Sequence, residues 1–186
     1  MKLFFDTEFT GLHKNTTLIS IGIVDEDDRT FYAELNDYDE SQVTPWIREN
    51  VINKMVYYNR NKFDTMFVKG RTTSVYGSHE YVRDALIEWL SVYDDVQFVS
   101  DVCHYDFVLL IDLISTTGSV FDIPPQICPS CHDINQDIAA ARGISEREAF
   151  DVSRVDMAGS NPHDQHNAGF DAVAIKHIYQ NILRLN

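Results

Sequence analysis

Apolar residues in this chain come first as short runs of strand length and later as helical stripes. Leu3 to Asp6 predicts a first strand, Leu18 to Val24 a second and Thr30 to Leu35 a third, with Gly11 and the acidic run Asp25-Glu26-Asp27-Asp28 at the turns, a three-stranded meander. The acidic run lacks the alternating acids and glycine of a calcium loop and reads as a solvated hairpin tip. Thr44-Pro45 is a helix start, an N-cap followed by proline at the first helical position, leading into Trp46 to Met55. An irregular segment then runs to Gly77. Ser78 caps an amphipathic helix in which Val82, Ala85, Leu86, Trp89 and Leu90 recur at helical spacing. Val96 to Ser100 reads as a buried strand, Phe107 to Ser115 as a helix stopping before Gly118, and Asp133 to Arg142 as a helix closed by Gly143. Ser145 to Glu148 forms a capping box, and Ala168, Ala172, Ile175, Tyr179 and Ile182 mark a last helix. Strand and helix alternate, so the fold class is α/β, a mixed sheet flanked by helices.

With 186 residues, 44% of them hydrophobic, the chain is expected to form one domain over residues 1–186 around a continuous core. No run approaches a membrane span and the N-terminus carries no signal-peptide pattern, so a soluble, cytoplasmic protein without a membrane partner is expected. Cys103, Cys128 and Cys131 form an odd set, read as reduced thiols in the core or loops. Cys128-Pro129-Ser130-Cys131-His132 spells a haem-attachment motif, but that chemistry needs an export route. A zinc site from Cys128, Cys131, His132 and Cys103 lacks the second spaced pair that structural zinc usually shows.

The net charge of −14 argues against a polyanionic partner until its distribution is considered. Lys54, Arg60, Lys62, Lys69 and Arg71 sit within one segment against a single acid, Asp64, and Tyr57, Tyr58, Phe63 and Phe67 interleave with them. Cations along phosphates and rings under bases would bind a single strand. A helical hairpin with core aromatics and solvated cations, or a dimer surface, are the competing readings. His104, Tyr76 and Trp89 read as structural.

Candidate chemistry concentrates at Asp6 and Glu8, which end the first strand two residues apart and so share a face. Two carboxylates that close repel unless a cation sits between them. Asp106 follows the buried strand at a helix start, and Asp171 lies in His166-Asn167-Ala168-Gly169-Phe170-Asp171 at the start of the last helix, where small Ala168 and Gly169 permit close backbone approach. Four carboxylates from three distant segments plus a histidine are what two-metal phosphodiester hydrolysis requires, with ions roughly 4 Å apart. A histidine with a pKa of about 6.5 can take the proton of the attacking water.

On these residues the sequence resembles the DEDDh branch of 3′-5′ exonucleases. Asp6-Thr7-Glu8-Phe9-Thr10-Gly11-Leu12 is similar to the family's D-x-E-x-T-G-L, Tyr105-Asp106 to the end of its second motif, and His166 to Asp171 to H-x-A-x-x-D. Trp46 to Val51 and the short length resemble a small bacterial and phage exoribonuclease branch. The resemblance implies a ribonuclease H-like fold. It further implies Asp6, Glu8, Asp106 and Asp171 as ligands of two Mg²⁺ or Mn²⁺ ions, His166 as general base with Glu8 beside it in catalysis, and Thr10 and Leu12 as receivers of the terminal nucleotide. The activity implied is release of nucleoside 5′-monophosphates from the 3′ end of single-stranded RNA or short oligonucleotides. Single-stranded DNA is the alternative substrate, and a homodimer is an option because several members are dimers. A non-catalytic acidic binding module is the reading from another class, and the intact carboxylate set counts against it. The second motif usually begins with asparagine, where Asp101 stands here, which leaves that residue as either support or an extra carboxylate.

Overall fold

The first strand, β1 (Lys2–Phe9), runs past the apolar residues that announce it, because Thr7 and Glu8 continue to pair with the neighbouring β2 (Leu18–Asp25). This computed structural model describes residues 1–57 and 63–185. β2 turns through Asp25 to Arg29 into β3 (Thr30–Leu35), giving the expected antiparallel meander. Thr44 accepts a hydrogen bond from the Ile47 N–H at 3.2 Å and Pro45 opens α1 (Pro45–Asn50), but the helix stops five residues before Met55, and Ile52–Lys54 form a single 3₁₀ turn.

The segment expected to be irregular instead holds a hairpin of β4 (Thr65–Lys69) and β5 (Thr72–Gly77), joined by a two-residue turn in which Gly70 adopts φ +61°. This strand hairpin replaces the helical-hairpin reading. Arg60, Lys62 and Tyr58 lie outside the described residues. Ser78 caps α2 (His79–Leu90), and β6 (Gln97–Ser100) leads into α3 (Cys103–Ile114), which begins four residues before the expected Phe107 and so takes Asp106 into its first turn. A two-residue β7 (His132–Asp133) precedes α4 (Ile134–Arg142), which Gly143 closes in the left-handed region at φ +64°. The capping box at Ser145 opens α5 (Glu146–Phe150). The unanticipated α6 (Arg154–Ala158) follows, and α7 (Ala168–Leu185) ends the described chain.

The strands form one mixed sheet in the order β4-β5-β3-β2-β1-β6-β7, with β1 parallel to β6 and antiparallel to β2. Leu3 and Phe5 of β1 face a cluster with Leu86, Trp89, Leu110 and Leu113 of α2 and α3. Phe4, on the other face, packs with Ile134 of α4 and Ala172, Ile175 and Ile178 of α7. Alternation places Asp6 and Glu8 on Phe4's face, so the carboxylates emerge where the α7 layer begins. Asp6 pairs with Gly22 of β2, and a Cβ on Gly22 would lie 2.1 Å from the Ala168 carbonyl oxygen. Only glycine lets the start of α7 settle on β2 here. No described helix is long and apolar enough to cross a membrane.

Candidate active site

Three carboxylates converge at this end of the sheet: oxygens of Asp6, Glu8 and Asp171 all lie within 4.8 Å of one another. β1 supplies the first two through its two-residue repeat. α7 supplies the third from its first turn, held by the His166 N–H, which donates to Asp171 Oδ2 at 2.8 Å. His166 itself takes φ +65°, a left-handed conformation that turns the chain into α7, where the Asn167 side chain accepts from the Gly169 N–H at 3.1 Å.

Asp106 stands behind this trio rather than within it. One of its oxygens accepts from the Thr7 N–H at 3.2 Å and from the Thr7 hydroxyl, and the other accepts from Ser100 Oγ at 3.1 Å. It thereby ties α3 to β1 and β6. Burial drives all four carboxyls above their usual range. Asp6 is raised well above its ordinary value by burial and then by the charges of Asp106 and Glu8, and Glu8 is pushed up to about 8 by burial and Asp171. Asp106 reaches about 7 and Asp171 about 6, chiefly through burial, against the lowering effect of their hydrogen bonds. Among the described residues, no ion pair engages Asp6, Glu8 or Asp171.

These groups line a cavity of about 760 Å³. His166 forms part of its wall, edge-on to Trp46 with ring centroids 5.1 Å apart. Burial, and then the positive charge of Lys54, hold the imidazole below its ordinary pKa. Leu12 reaches into the opening with 78% of its surface exposed, joined by the exposed rings of Trp46 and Phe150. Thr10 also borders the cavity, but it is 1% exposed and its hydroxyl donates to Gln42 Oε1 while accepting from the Thr17 N–H at 2.9 Å. Its own N–H donates to the Thr17 carbonyl at 3.0 Å. Hydroxyl and N–H are thus committed to folding the loop over residues 10–17.

Asp101 is paired with Arg154 Nε at 2.8 Å, and the same guanidinium donates to Asn135 Oδ1 at 2.5 Å and to the Ala149 and Val152 carbonyls. The residue standing where asparagine is usual is therefore half of a salt bridge in the cavity wall. Phe150, Gln42 and Arg154 were not expected at the site from the sequence, and Trp46 entered only as part of the Trp46 to Val51 segment. Arg154 left no trace in the sequence because its partner Asp101 lies 53 residues away.

The described basic residues of this segment, Lys54, Lys69 and Arg71, do not share one location. The Thr30 N–H donates to the Arg71 carbonyl, which puts the Gly70–Arg71 turn beside the Asp25–Arg29 turn, at the far end of the sheet. Ser20 pairs with Glu8 and Val24 with Phe4 and Thr30, so this turn lies about 13 Å further along the strand direction than the carboxylates. Lys54 is the exception. Its ammonium donates to the Gln165 carbonyl, next to His166.

A family model described as the RNase H superfamily matches residues 3–103. Two proteins of Mycobacterium tuberculosis, from strains CDC 1551 / Oshkosh and ATCC 25618 / H37Rv and both named as 3′-5′ exoribonucleases, are each 28% identical over 138 residues, which is 73% of this chain and 73% of theirs. The crystal structure of a full-length 3′-exonuclease superposes with a TM-score of 0.64 at 10% identity, covering 98% of this chain and 81% of that one. A 3′-exonuclease described in 3′-end specific recognition of a histone mRNA stem-loop superposes with a TM-score of 0.62 at 11% identity. That match covers 99% of this chain but 63% of the other, so this chain spans less than two thirds of that protein.

Proposed function

The chain belongs to the RNase H superfamily, and on that premise we propose that it is a metal-dependent 3′-5′ exoribonuclease that releases nucleoside 5′-monophosphates from single-stranded RNA. The observation that carries the reading is the convergence of Asp6, Glu8 and Asp171 in an open cavity with His166 in its wall. The names of the mycobacterial relatives support the direction of attack and the RNA substrate.

The donor set fits hard divalent cations. It offers only carboxylate oxygens, they are mutually repelling, and no cationic side chain among the described residues pairs with them. Asp6, Glu8 and Asp171 would hold two such ions, Mg²⁺ or Mn²⁺, with Asp106 completing the set. Bound there, the ions supply positive charge against the charge that develops on the phosphodiester during in-line displacement. The rest falls to the chain's own groups. His166, whose pKa is held below its ordinary value by burial and then by Lys54, which favours the neutral imidazole, accepts the proton of the attacking water. Exposed Leu12, Trp46 and Phe150 offer apolar surface to the terminal bases, while the Thr10 loop fixes the rim on which Leu12 sits.

RNA and DNA oligomers labelled at the 3′ or the 5′ end test this directly. Mononucleotide release from the 3′ label, a shrinking 5′-labelled ladder, arrest by a chelator and rescue by Mg²⁺ or Mn²⁺ are the expected results. Internal cuts or inertness with added metal would sink the proposal, and faster digestion of DNA would assign the enzyme to single-stranded DNA.

A further inference from the structure

Around the first turn of α3, the Cys103 thiol, the His104 imidazole and a carboxylate oxygen of Asp133 bring their ligand atoms within 4.8 Å of one another. We propose that these three residues, with Cys131 as the fourth donor, bind a thiophilic divalent cation of the zinc class. Cys103 Sγ lies 3.8 Å from Asp133 Oδ2. In a tetrahedral site, bonds of about 2.3 Å to sulfur and about 2.0 Å to oxygen place the two ligand atoms about 3.5 Å apart, so little movement is needed. The Cys131 thiol is in hydrogen-bonding contact with that of Cys103, which supplies a second sulfur on the same spot.

The carboxylate is already oriented. Asp133 Oδ1 caps α4 by accepting from the Asn135 N–H at 2.8 Å, which leaves Oδ2 facing Cys103. Fixing one oxygen through the backbone so that the other can ligate is how metal sites commonly aim a carboxylate. His104 is exposed, so an ion has a route in from solvent. Two thiols, an imidazole and one carboxylate favour a borderline-soft ion, whereas the oxygen-only trio of Asp6, Glu8 and Asp171 favours a hard one. Binding displaces the two thiol protons to solvent.

The grouping differs from the one the sequence spells. His132 is turned away to Asp137, 2.6 Å from its carboxylate, and Cys128 is not among the converging residues. His104 leaves its structural reading and becomes a ligand. Cys103 and His104 sit in the first turn of α3, Asp133 ends β7, and Cys131 immediately precedes that strand. An ion held by all four would staple the start of α3 to β7 three residues ahead of Asp106.

Full-length protein, reduced with a non-thiol reagent and stripped with a chelator, is titrated with Co²⁺ alone. A thiolate-to-cobalt charge-transfer band saturating at one equivalent is expected, displaced by Zn²⁺ and not by Mg²⁺. The carboxylate trio cannot produce that band. Cys103→Ser should abolish it and Cys131→Ser should weaken it. His104→Ala, at an exposed position that spares the core, should weaken Zn²⁺ affinity by at least about 10-fold, since losing even an outer partner of a ligand costs that much. No band in the reduced protein, or a band unchanged by Cys103→Ser and His104→Ala, overturns the site. So does the loss of two free thiols without metal, which would assign Cys103 and Cys131 to a disulfide.

Discussion

The two ends of the central sheet carry acidic clusters of similar density and opposite treatment. At the far end, the Asp25–Asp28 turn is neutralised by the fold: Lys176, buried in α7, donates to the Asp25 and Glu26 carbonyls and pairs with Asp28 at 2.6 Å. Asp25 accepts from the Asp27 and Arg29 N–H groups and from the Tyr93 hydroxyl, while Arg29 lies 4.3 Å above the Trp89 ring. The hydrogen bond and charge of Lys176 hold the Asp28 carboxyl below its usual range. At the near end, burial and mutual repulsion push Asp6, Glu8 and Asp171 above theirs, with no ion pair to oppose them among the described residues. Acid density alone does not mark a site. A cluster in a cavity with no ion pair among the described residues, at the opposite end of the sheet from one that Lys176 pairs with, does.

The largest expected effect comes from changing the two ends in the same way. Asp6→Asn or Glu8→Gln keeps shape but removes a negative ligand, and turnover on 3′-labelled RNA is expected to fall by about three orders of magnitude or more, several kcal/mol of transition-state stabilisation. Asp28→Asn should leave turnover unchanged. Wild-type turnover in either near-end variant would erase the distinction between the two clusters.

His166→Ala comes next. Loss of a general base typically costs about 10²–10⁴-fold, and metal binding should survive because the imidazole is outside the carboxylate trio. The wild-type rate should decline only below the ordinary histidine range, since burial and Lys54 lower the pKa of His166. That acidic limb should vanish in the variant. An unchanged limb would move the proton to another acceptor.

How far these two ends could be told apart from sequence depends on the range of the interactions. Asp6 and Glu8 were legible because a two-residue repeat puts them on one face, and the N-caps at Thr44, Ser78 and Ser145 were legible because capping is local. The β4–β5 hairpin was not. Met66, Phe67 and Val68 are all exposed on an edge strand, so no buried alternation announces it, and its Gly70–Arg71 turn was the one available cue. Lys176 was equally hidden, since it neutralises a turn about 150 residues earlier. Asp106 could be placed at the start of a helix, yet its attachment to Thr7 and Ser100 comes only from the packing of α3 on β1 and β6.

Stability against pH separates the ends by sign. The near-end carboxyls keep their protons in the fold up to about 6 for Asp171 and about 8 for Glu8, well above the values of an unfolded chain. Between about pH 4 and pH 8 the folded protein therefore binds more protons than the unfolded one, and without divalent ions its thermal midpoint should fall as pH rises through that window. Added Mg²⁺ or Mn²⁺ should restore several degrees, more at pH 8 than at pH 6, and Asp6→Asn should raise the metal-free midpoint at pH 8. Asp28, lowered instead, contributes stability that is lost as pH falls below the ordinary carboxylate range, and its exposure keeps that contribution small. A metal-free midpoint that climbs from pH 6 to pH 8 would show the near-end charges to be compensated after all.

The smallest effect tests which end the nucleic acid touches. Lys69 precedes and Arg71 lies in the hairpin turn at the end that Lys176 compensates, whereas the Lys54 ammonium lies beside Gln165 and His166. The double variant Lys69→Ala with Arg71→Ala should leave the KM for long single strands, and its dependence on salt, unchanged. Lys54→Ala should raise KM and flatten the logarithmic salt slope by about 0.7, the share of one phosphate contact on a single strand. It should also move the acidic limb of the rate profile upward, because the charge that holds the His166 pKa down is gone. A flattened slope in the Lys69 and Arg71 variant would mean that the strand runs the length of the sheet, so that both ends, and not only the uncompensated one, meet the substrate.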